Sequence, residues 1–288
     1  MPQAVQIGMA RRKRYSVAFQ GERGAFSFSA ARKLLGKNVP PHPCESFKEV
    51  FESVHKGAVT HGVIPIENTL HGSVHENYDL LLNYDLPIMG ETSLRISHHL
   101  IALPGQRFQD LTRAFSHPVA LNQCREFFEK HKRITPVSFY DTAGSVKMLQ
   151  EQKPDGAAAV ASEDAAAIYG GKILKRNIED NRQNFTRFFL LTRQTGKRRT
   201  QTGSWKTSIV FATENEAGAL FKAMACFSLR DLNLTKIESR PLRSRPWEYL
   251  FYVDIIGSQD DKDLSRALEN LKETASFFKV LGSYRPTP

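Results

Sequence analysis

This sequence is poor in cysteine and has no long apolar run, and both absences exclude whole classes of protein. Its three cysteines, Cys44, Cys124 and Cys226, are not paired at the spacing of a metal or redox motif. We therefore expect reduced, buried thiols rather than a disulfide scaffold or a cysteine zinc site. No apolar stretch is long enough to span a bilayer, and residues 1–14 lack the apolar centre of a secretory signal. These absences predict a soluble cytoplasmic protein.

Two binding motifs are present only in incomplete form. His71 and His75 are four residues apart, but no glutamate follows the first and no third ligand is obvious, so we interpret them as polar helix residues. The turn Gly21 to Gly24 has two glycines and not the three of a dinucleotide fingerprint. It is either a plain tight turn or a turn that lets backbone N–H groups, with Ser27 or Ser29, face an anion.

The chain carries a formal net charge of +10 and has a pI near 9.5. Two basic runs, residues 11–14 and 197–199, lie at the ends of predicted structured regions and are not interleaved with aromatic residues. We predict a solvated tail and a solvated linker, with no nucleic-acid and no membrane partner. Nucleic-acid binding is the alternative, and it would be sensitive to salt. A positive field would also attract a small dianionic substrate.

Strand and helix patterns alternate along most of the chain, which is typical of an α/β fold. The pattern pauses near Ser97 and then resumes, so we expect two lobes with a cleft between them. The predicted catalytic region is 15–193, with lobe 1 at about 15–96 plus 186–193 and lobe 2 at about 97–185. The predicted helices are 26–35, 46–56, one ending at 82, 118–131, 142–150 and 162–167.

The C-terminal part has a different order of elements. Residues 194–204 are rich in Thr, Gly and basic residues and are predicted to be a linker. Residues 205–288 follow the order β-α-β-β-α-β, which matches the ferredoxin-like motif. That α+β fold hosts many functions and implies none of them by itself.

Thr186 and Arg187 lie together in the otherwise apolar stretch Asn184 to Leu191. Neighbouring residues of a strand point to opposite faces unless a bulge or a strand end redirects one of them. We place the pair at a strand end, facing the cleft, where Arg suits a carboxylate and Thr can donate to a leaving oxygen. The alternative is a core strand whose Arg extends to solvent.

A polar cluster, Glu67-Asn68-Thr69, follows a predicted buried strand, where open α/β sheets place ligand groups. It either contributes to the site or provides turn and cap residues for the next helix. Ser116 lies at a later strand-to-helix junction, and Gln123 is predicted near the middle of the helix that follows.

Several segments, in their order along the chain, resemble the prephenate dehydratase family, which includes the arogenate dehydratases and carries a C-terminal regulatory ACT domain. The segments are GERGAFS (21–27), GVIPIENTLHG (62–72), SHPVALNQC (116–124), NFTRF (184–188), GAL (218–220) and ESRP (238–241). Two positions depart from the family pattern: Val119 replaces a glutamine and Thr69 replaces a serine.

The resemblance implies a two-lobed, periplasmic-binding-protein-like catalytic domain without metal or organic cofactor. It implies that prephenate loses carbon dioxide and hydroxide to give phenylpyruvate. Thr186 would donate to the departing hydroxyl, with Glu67 as a relay partner, and Arg187 would grip the side-chain carboxylate. The remaining substrate-binding residues implied are Asn68, Thr69, Ser116, Gln123, Phe188 and Ser27.

The resemblance also implies feedback inhibition by phenylalanine, bound between the ACT domains of a homodimer or homotetramer. The implied effector residues are Gly218, Ala219, Leu220, Asn233, Leu234, Glu238, Ser239 and Arg240. Without the family, they would be a helix start and an edge strand. Two alternatives remain: an arogenate dehydratase, and a non-catalytic sensor of amino acids.

Overall fold

The structure is a computed structural model that describes residues 15–193, 204–242 and 248–287. The predicted tail at 1–14 and all of the predicted linker except Ser204 lie outside these ranges. Residues 15–96 contain β1 (Val17–Gln20), α1 (Phe26–Leu35), β2 (Pro41–Cys44), α2 (Phe47–His55), β3 (His61–Asn68), β4 (Gly72–Ser73), α3 (His75–Asn83) and β5 (Ile88–Arg95). Ser46 caps α2, as its sequence position indicates, by accepting a hydrogen bond from the N–H of Glu49. The prolines of β2 are tolerated because β2 is an edge strand.

Residues 97–193 form the second part and then return to the first. The elements are β6 (His99–Ala102), a 3-10 turn (Phe108–Asp110), β7 (Arg113–Ser116), α4 (Pro118–Asn122), α5 (Arg125–Lys130), β8 (Thr135–Ser138), α6 (Thr142–Gln152), β9 (Ala157–Ala161), α7 (Glu163–Tyr169), β10 (Lys172–Lys175) and β11 (Phe185–Thr192). The single helix predicted over 118–131 is wrong. The helix ends at Gln123, and α5 begins anew because the Asp180 carboxylate accepts hydrogen bonds from the N–H groups of Arg125 and Glu126.

Residues 204–242 and 248–287 confirm the predicted β-α-β-β-α-β order and form the C-terminal unit. It consists of β12 (Lys206–Ala212), α8 (Ala219–Ser228), β13 (Leu234–Pro241), β14 (Tyr249–Ile256), α9 (Lys262–Thr274) and β15 (Phe277–Thr287). The sequence predicts this last strand over 277–281, whereas β15 extends to Thr287 and pairs with β5 through Arg285 to Thr287. The close approach needs Gly282, because a Cβ there would lie 2.3 Å from the carbonyl oxygen of Ile88.

The strands form two sheets. The first has the order β13-β14-β12-β15-β5-β11-β3-β1-β2, with β4 paired to β3, and the second has the order β10-β6-β9-β7-β8. We call β1 to β5 with β11 the first lobe, and β6 to β10 the second lobe. Both sheets are mixed rather than parallel: β11 runs antiparallel to β3 and β5, and β6 runs antiparallel to β9 and β10. No helix of the described ranges is both long and apolar enough to cross a membrane.

The two faces of β11 pack against different partners. Phe188 and Leu190 join the core under α1. Phe189 and Leu191 join the core formed by α2, α3 and one face of the C-terminal sheet. Since strand side chains alternate between faces, Thr186 falls on the α1 side and Arg187 on the side of the C-terminal unit.

Candidate active site

A cleft of about 330 Å³ lies between the two lobes, within the size range of small-ligand sites. The first lobe contributes residues at the ends of β1, β3 and β11 and at the start of α1. The second lobe contributes residues before β6, around α4 and at the start of α6. Of the predicted site residues, the cleft brings together Thr186, Asn68, Ser27, Gln123 and Phe188.

Thr186, in β11 of the first lobe, lines the cleft and carries a hydroxyl group. It is 8% exposed, and its Oγ1 accepts a hydrogen bond of 2.9 Å from the Nδ2 of Asn68. The orientation of the Asn68 amide is fixed because its Oδ1 accepts hydrogen bonds from the N–H groups of Leu70 and His71. A hydroxyl that accepts from an amide keeps its own proton available as a donor. The arrangement therefore favours hydrogen-bond donation by Thr186 to a ligand oxygen.

The N-terminus of α1 faces the same cleft. Ala25, Phe26 and Ser27 line it, and no side chain caps this helix. The positive end of a helix and its free N–H groups stabilise a carboxylate. Ser29, the alternative to Ser27, donates instead to Asp164 at 2.6 Å. Of the two interpretations of the turn before α1, one that faces an anion agrees better with the structure than a plain tight turn.

Gln123 is held by His98, a residue that the sequence interpretation missed. His98 is 2% exposed, and its Nε2 lies 2.7 Å from the Oε1 of Gln123. Burial lowers the pKa of His98, so its ring is neutral near pH 7 and its Nε2–H donates to the amide oxygen. The Gln123 NH₂ is thereby left available as a donor.

The sequence interpretation also misses Asp141, because it assigns the cap of the predicted helix 142–150 to Thr142. Asp141 is the actual cap of α6: its Oδ1 accepts a hydrogen bond of 2.7 Å from the N–H of Gly144. It lines the cleft and is 8% exposed, and burial raises its pKa. Among the described residues that line the cleft, it is the sole aspartate or glutamate, and none of them is a lysine or arginine.

Glu22 links the two lobes beside the cleft. Its carboxylate accepts hydrogen bonds from the hydroxyls of Tyr140 and Tyr169 and pairs with the Nζ of Lys147 at 3.0 Å. All three partners belong to the second lobe, whereas Glu22 belongs to the turn before α1. These contacts join the two lobes in the described arrangement.

The prediction for Arg187 is wrong. Its side chain leaves the cleft and pairs with Asp254 of β14 at 2.5 Å, and with Glu91 and Glu67 at 3.2 Å each. The β11–β3 register does shift between Arg187 and Phe188, but the side chains along β11 still alternate between its two faces. Arg187 therefore binds the C-terminal unit and not a substrate carboxylate in the cleft.

Glu67 was predicted as a relay partner of Thr186, and the structure contradicts this as well. It lies opposite Arg187 in the β3–β11 register and pairs with Arg187 and with Lys236 at 3.1 Å. It belongs to an ion cluster that we define as Arg187, Lys206, Lys236, Glu67, Glu91 and Asp254. Asn68, its neighbour, is the residue bonded to Thr186.

Ser116 and Thr69 have structural contacts instead of cleft positions. Ser116 is fully buried, and its Oγ donates to the carbonyl of Val160 at 2.6 Å, which joins β7 to β9. Thr69 donates to the carbonyl of Gln183 and accepts from the N–H of Phe185. Both contacts stabilise the frame around the cleft, so neither residue is placed to bind substrate.

The predicted effector residues lie in two groups in the C-terminal unit. Gly218, with φ +79°, precedes α8, and Leu220 is exposed. On β13, Glu238 accepts from Ser73 of β4, and Arg240 pairs with Asp79 of α3. The second group thus contacts the first lobe. The effector roles of all eight residues, including Ala219, Asn233, Leu234 and Ser239, stay predictions.

In the described ranges, no group of three or more His, Cys, Asp and Glu side chains could hold a metal ion. Cys44 and Cys124 are buried and free, and Cys226 is half-buried and free.

Comparison with known proteins identifies the family. A family model described as prephenate dehydratase matches residues 17–196, which include both lobes and every residue of the cleft. The chain belongs to the prephenate dehydratase family. Arogenate dehydratase/prephenate dehydratase 2, chloroplastic, of Arabidopsis thaliana is 47% identical over 283 residues, covering 94% of this chain and 73% of that protein. The bifunctional chorismate mutase/prephenate dehydratase of Aquifex aeolicus (strain VF5) is 38% identical over 273 residues, covering 94% and 74%.

Solved structures with the same fold extend over the C-terminal unit. A prephenate dehydratase from Arthrobacter aurescens, in complex with L-Phe, has a TM-score of 0.84 and 31% identity over 93% of this chain and 89% of its own. GqqA, described as a quorum-quenching acylase, has a TM-score of 0.86 and 33% identity over 94% and 98%. The predicted α/β fold class is confirmed, and the protein is a hydro-lyase, as its dehydratase relatives are.

Proposed function

We propose that the protein catalyses the decarboxylating dehydration of a cyclohexadienol dicarboxylate, either prephenate or its amino analogue arogenate, in phenylalanine biosynthesis. The observation that carries the proposal is the Thr186 hydroxyl, oriented by Asn68 and facing the cleft. The family and its relatives support the reaction class.

The reaction breaks two bonds and makes the ring benzenoid. The electrons of the C–CO₂ bond move into the ring, and the ring carbon opposite releases its hydroxyl as hydroxide, which takes up a proton. Aromatisation supplies the driving force, so the site has mainly to orient the substrate and stabilise the departing oxygen. Thr186 serves the second task by donating a hydrogen bond to that oxygen.

The charges of the cleft suit the loss of carbon dioxide. A tightly bound cation would stabilise the ring carboxylate in the ground state and slow its conversion to neutral carbon dioxide. The described lining of the cleft has no lysine or arginine, and the N-terminus of α1 offers partial charges instead. Gln123 and Ser27 would position the carboxylates by neutral hydrogen bonds.

The decisive experiment is a turnover assay on both substrates with the full chain and with Thr186→Val. The variant keeps the β-branched shape and loses the hydroxyl, so we expect kcat to fall by about 100-fold with little change in KM. Thr92→Val is the matched control, because Thr92 is buried on β5 opposite Phe188 and does not line the cleft. Equal kcat values in the two variants would contradict the role of Thr186, and no turnover by the wild type would favour the non-catalytic sensor.

We also propose that phenylalanine regulates the enzyme through the C-terminal unit, acting as an ACT domain in a homo-oligomer. The Arthrobacter relative is described in complex with L-Phe. The ion cluster supplies a physical link, since it joins β14 to the residue next to Thr186. A calorimetric titration with phenylalanine, together with the turnover assay, tests this proposal separately from catalysis. The cytoplasmic location stays a prediction.

An acylase is the second candidate, because GqqA shares the fold at 33% identity. Amide cleavage by a threonine requires a base that takes its proton. The Oγ1 of Thr186 instead accepts from the amide of Asn68, which is a donor and not a base. Assaying release of an acyl chain from an N-acyl substrate decides between the two functions.

A further inference from the structure

Asp141 is a carboxylate in the cleft that the proposed reaction does not use. The departing hydroxyl needs a hydrogen-bond donor, and the substrate carboxylates need donors as well, whereas an ionised carboxylate is only an acceptor. A charge placed in a substrate cleft without a part in the reaction has two explanations. Either it stabilises the fold, or it recognises a group of the substrate.

We propose that Asp141 binds the ammonium group of an amino-acid substrate and thereby makes arogenate the preferred substrate over prephenate. This inference rests on the proposed dehydratase function. It concerns the side chain of the substrate and not its ring, because prephenate and arogenate have the same ring. The side chain of prephenate carries a keto group, whereas that of arogenate carries an ammonium group.

The surroundings of Asp141 leave room for one more partner. Its Oδ1 accepts from the N–H of Gly144 at 2.7 Å, and the backbone N–H groups of Ala143 and Glu22 also donate to the carboxylate. Its Oδ2 lies close to Gly21, because a Cβ added to Gly21 would be only 2.8 Å from this oxygen. A carboxylate has about four lone-pair positions, and Asp141 lines the cleft from the start of α6. The side chain is therefore held in place by the protein and still presents acceptor positions to the cavity.

The charge balance favours a zwitterionic side chain. Prephenate would bring two carboxylates into a cleft whose described lining has Asp141 but no lysine or arginine, so Asp141 would repel it. Arogenate brings two carboxylates and one ammonium group. Its ammonium would pair with Asp141, while the N-terminus of α1 receives a carboxylate. Burial of the pair strengthens the attraction relative to water.

The structural explanation is that Asp141 serves only as the cap of α6. A cap does not require a charge, because asparagine and serine cap helices as well as aspartate does. The burial that raises the pKa of Asp141 makes its ionised form costly to the fold. An ammonium ligand would offset that cost, whereas capping alone would be served equally well by a neutral residue.

The test compares kcat/KM for arogenate and prephenate in the full chain and in Asp141→Asn, which keeps the cap acceptor and removes the charge. We expect kcat/KM for arogenate to fall by about 30-fold, mainly through KM, as for the loss of one partner of a buried charge pair. The value for prephenate should stay equal or rise. Asp141→Ser, another good cap, should behave alike and provides a second variant if the first folds poorly.

Ser46→Ala is the matched control, since it removes the cap of α2 far from the cleft and should leave the substrate ratio unchanged. Parallel losses for both substrates in Asp141→Asn, or no change for either, would overturn the inference and leave the dehydratase function intact. A wild type that uses prephenate and not arogenate would also overturn it. A wild type that turns over neither substrate would refute the proposed function, and this inference with it.

Discussion

Replacing Arg187 gives the sharpest test of how the two faces of β11 are used. The Arg187 side chain is 14% exposed, and its partners Asp254 and Glu91 are 6% and 7% exposed. Burial opposes its charge, but Asp254 and Glu91 outweigh burial and hold the pKa of Arg187 above its ordinary value. The guanidinium also lies over the ring of Phe189, with its Cζ 5.3 Å from the centroid.

Arg187→Met would keep much of the side-chain volume and remove the cation. Removing one partner of a buried ion pair costs about 3–5 kcal/mol because the other charge stays buried. Lys206 still contacts Glu91, and Ser208 still donates to Asp254 at 2.5 Å. We therefore expect the lower end of that range, about 3 kcal/mol, as a loss in the free energy of unfolding.

Urea denaturation of wild type, Arg187→Met, Asp254→Asn and the double variant measures this coupling. The two single losses should exceed the double loss by at least about 1 kcal/mol, because the residues act as one unit. Lys56→Met, which breaks an exposed pair with Glu52 on α2, is the control and should leave the unfolding midpoint nearly unchanged. The reasoning would be refuted if Arg187→Met left the unfolding midpoint unchanged and raised KM for substrate, since that is the behaviour of a substrate ligand.

Three further outcomes are expected. Glu22→Gln weakens the contacts of Glu22 with Lys147 and the two tyrosines of the second lobe, so KM should rise several-fold, and an unchanged KM would show that these contacts do not hold the lobes. His98→Leu removes the donor that orients Gln123, so kcat/KM should fall by roughly tenfold, while a fall confined to thermal stability would mean that the pair is only structural. Burial raises the pKa of Asp141, with neighbouring Glu22 adding to the shift, so its ionised form destabilises the fold. Wild-type stability should therefore fall relative to Asp141→Asn as pH rises from about 4 to 8, and a pH-independent difference between the two would contradict that sign.

The sequence predicted most of the fold because its signals were local. The helix predicted over 26–35 and the order of elements after residue 204 agree with the structure. The end of β15 was missed because residues 282–287 contain glycine and proline, which give no strand pattern. Its pairing with β5 is a long-range contact that only the packing of the C-terminal unit on the first lobe can decide.

The site was predicted in part, and the errors at Arg187 and Glu67 have related physical origins. Thr186, Asn68 and Phe188 share the α1 side of the first lobe, as alternate positions of paired strands should. Arg187 and Glu67 were placed in the cleft because they are neighbours of those residues in sequence. Arg187 points away from the cleft because adjacent residues of β11 face opposite sides. In β3 the register shift leaves Ile66 as an extra residue, so Glu67 lies opposite Arg187 on the side of the C-terminal unit. Asp141 could have been found, since aspartate is a preferred helix cap and stands directly before Thr142.

That alternation would let one strand serve both the proposed catalysis and the proposed regulation. Thr186 faces the cleft, whereas the next residue is tied by a buried ion pair to β14 of the C-terminal unit. If β14 shifted and Arg187 stayed in place, the buried charges of Arg187 and Asp254 would lose their partners. That loss costs far more free energy than a small movement of the end of β11. The strand end carries the hydroxyl whose direction Asn68 sets, and a hydrogen bond weakens steeply with misalignment. A displacement of a fraction of an ångström at β14 would therefore weaken the hydrogen bond from Thr186 to the departing oxygen. No effector residue needs to reach the cleft for this effect.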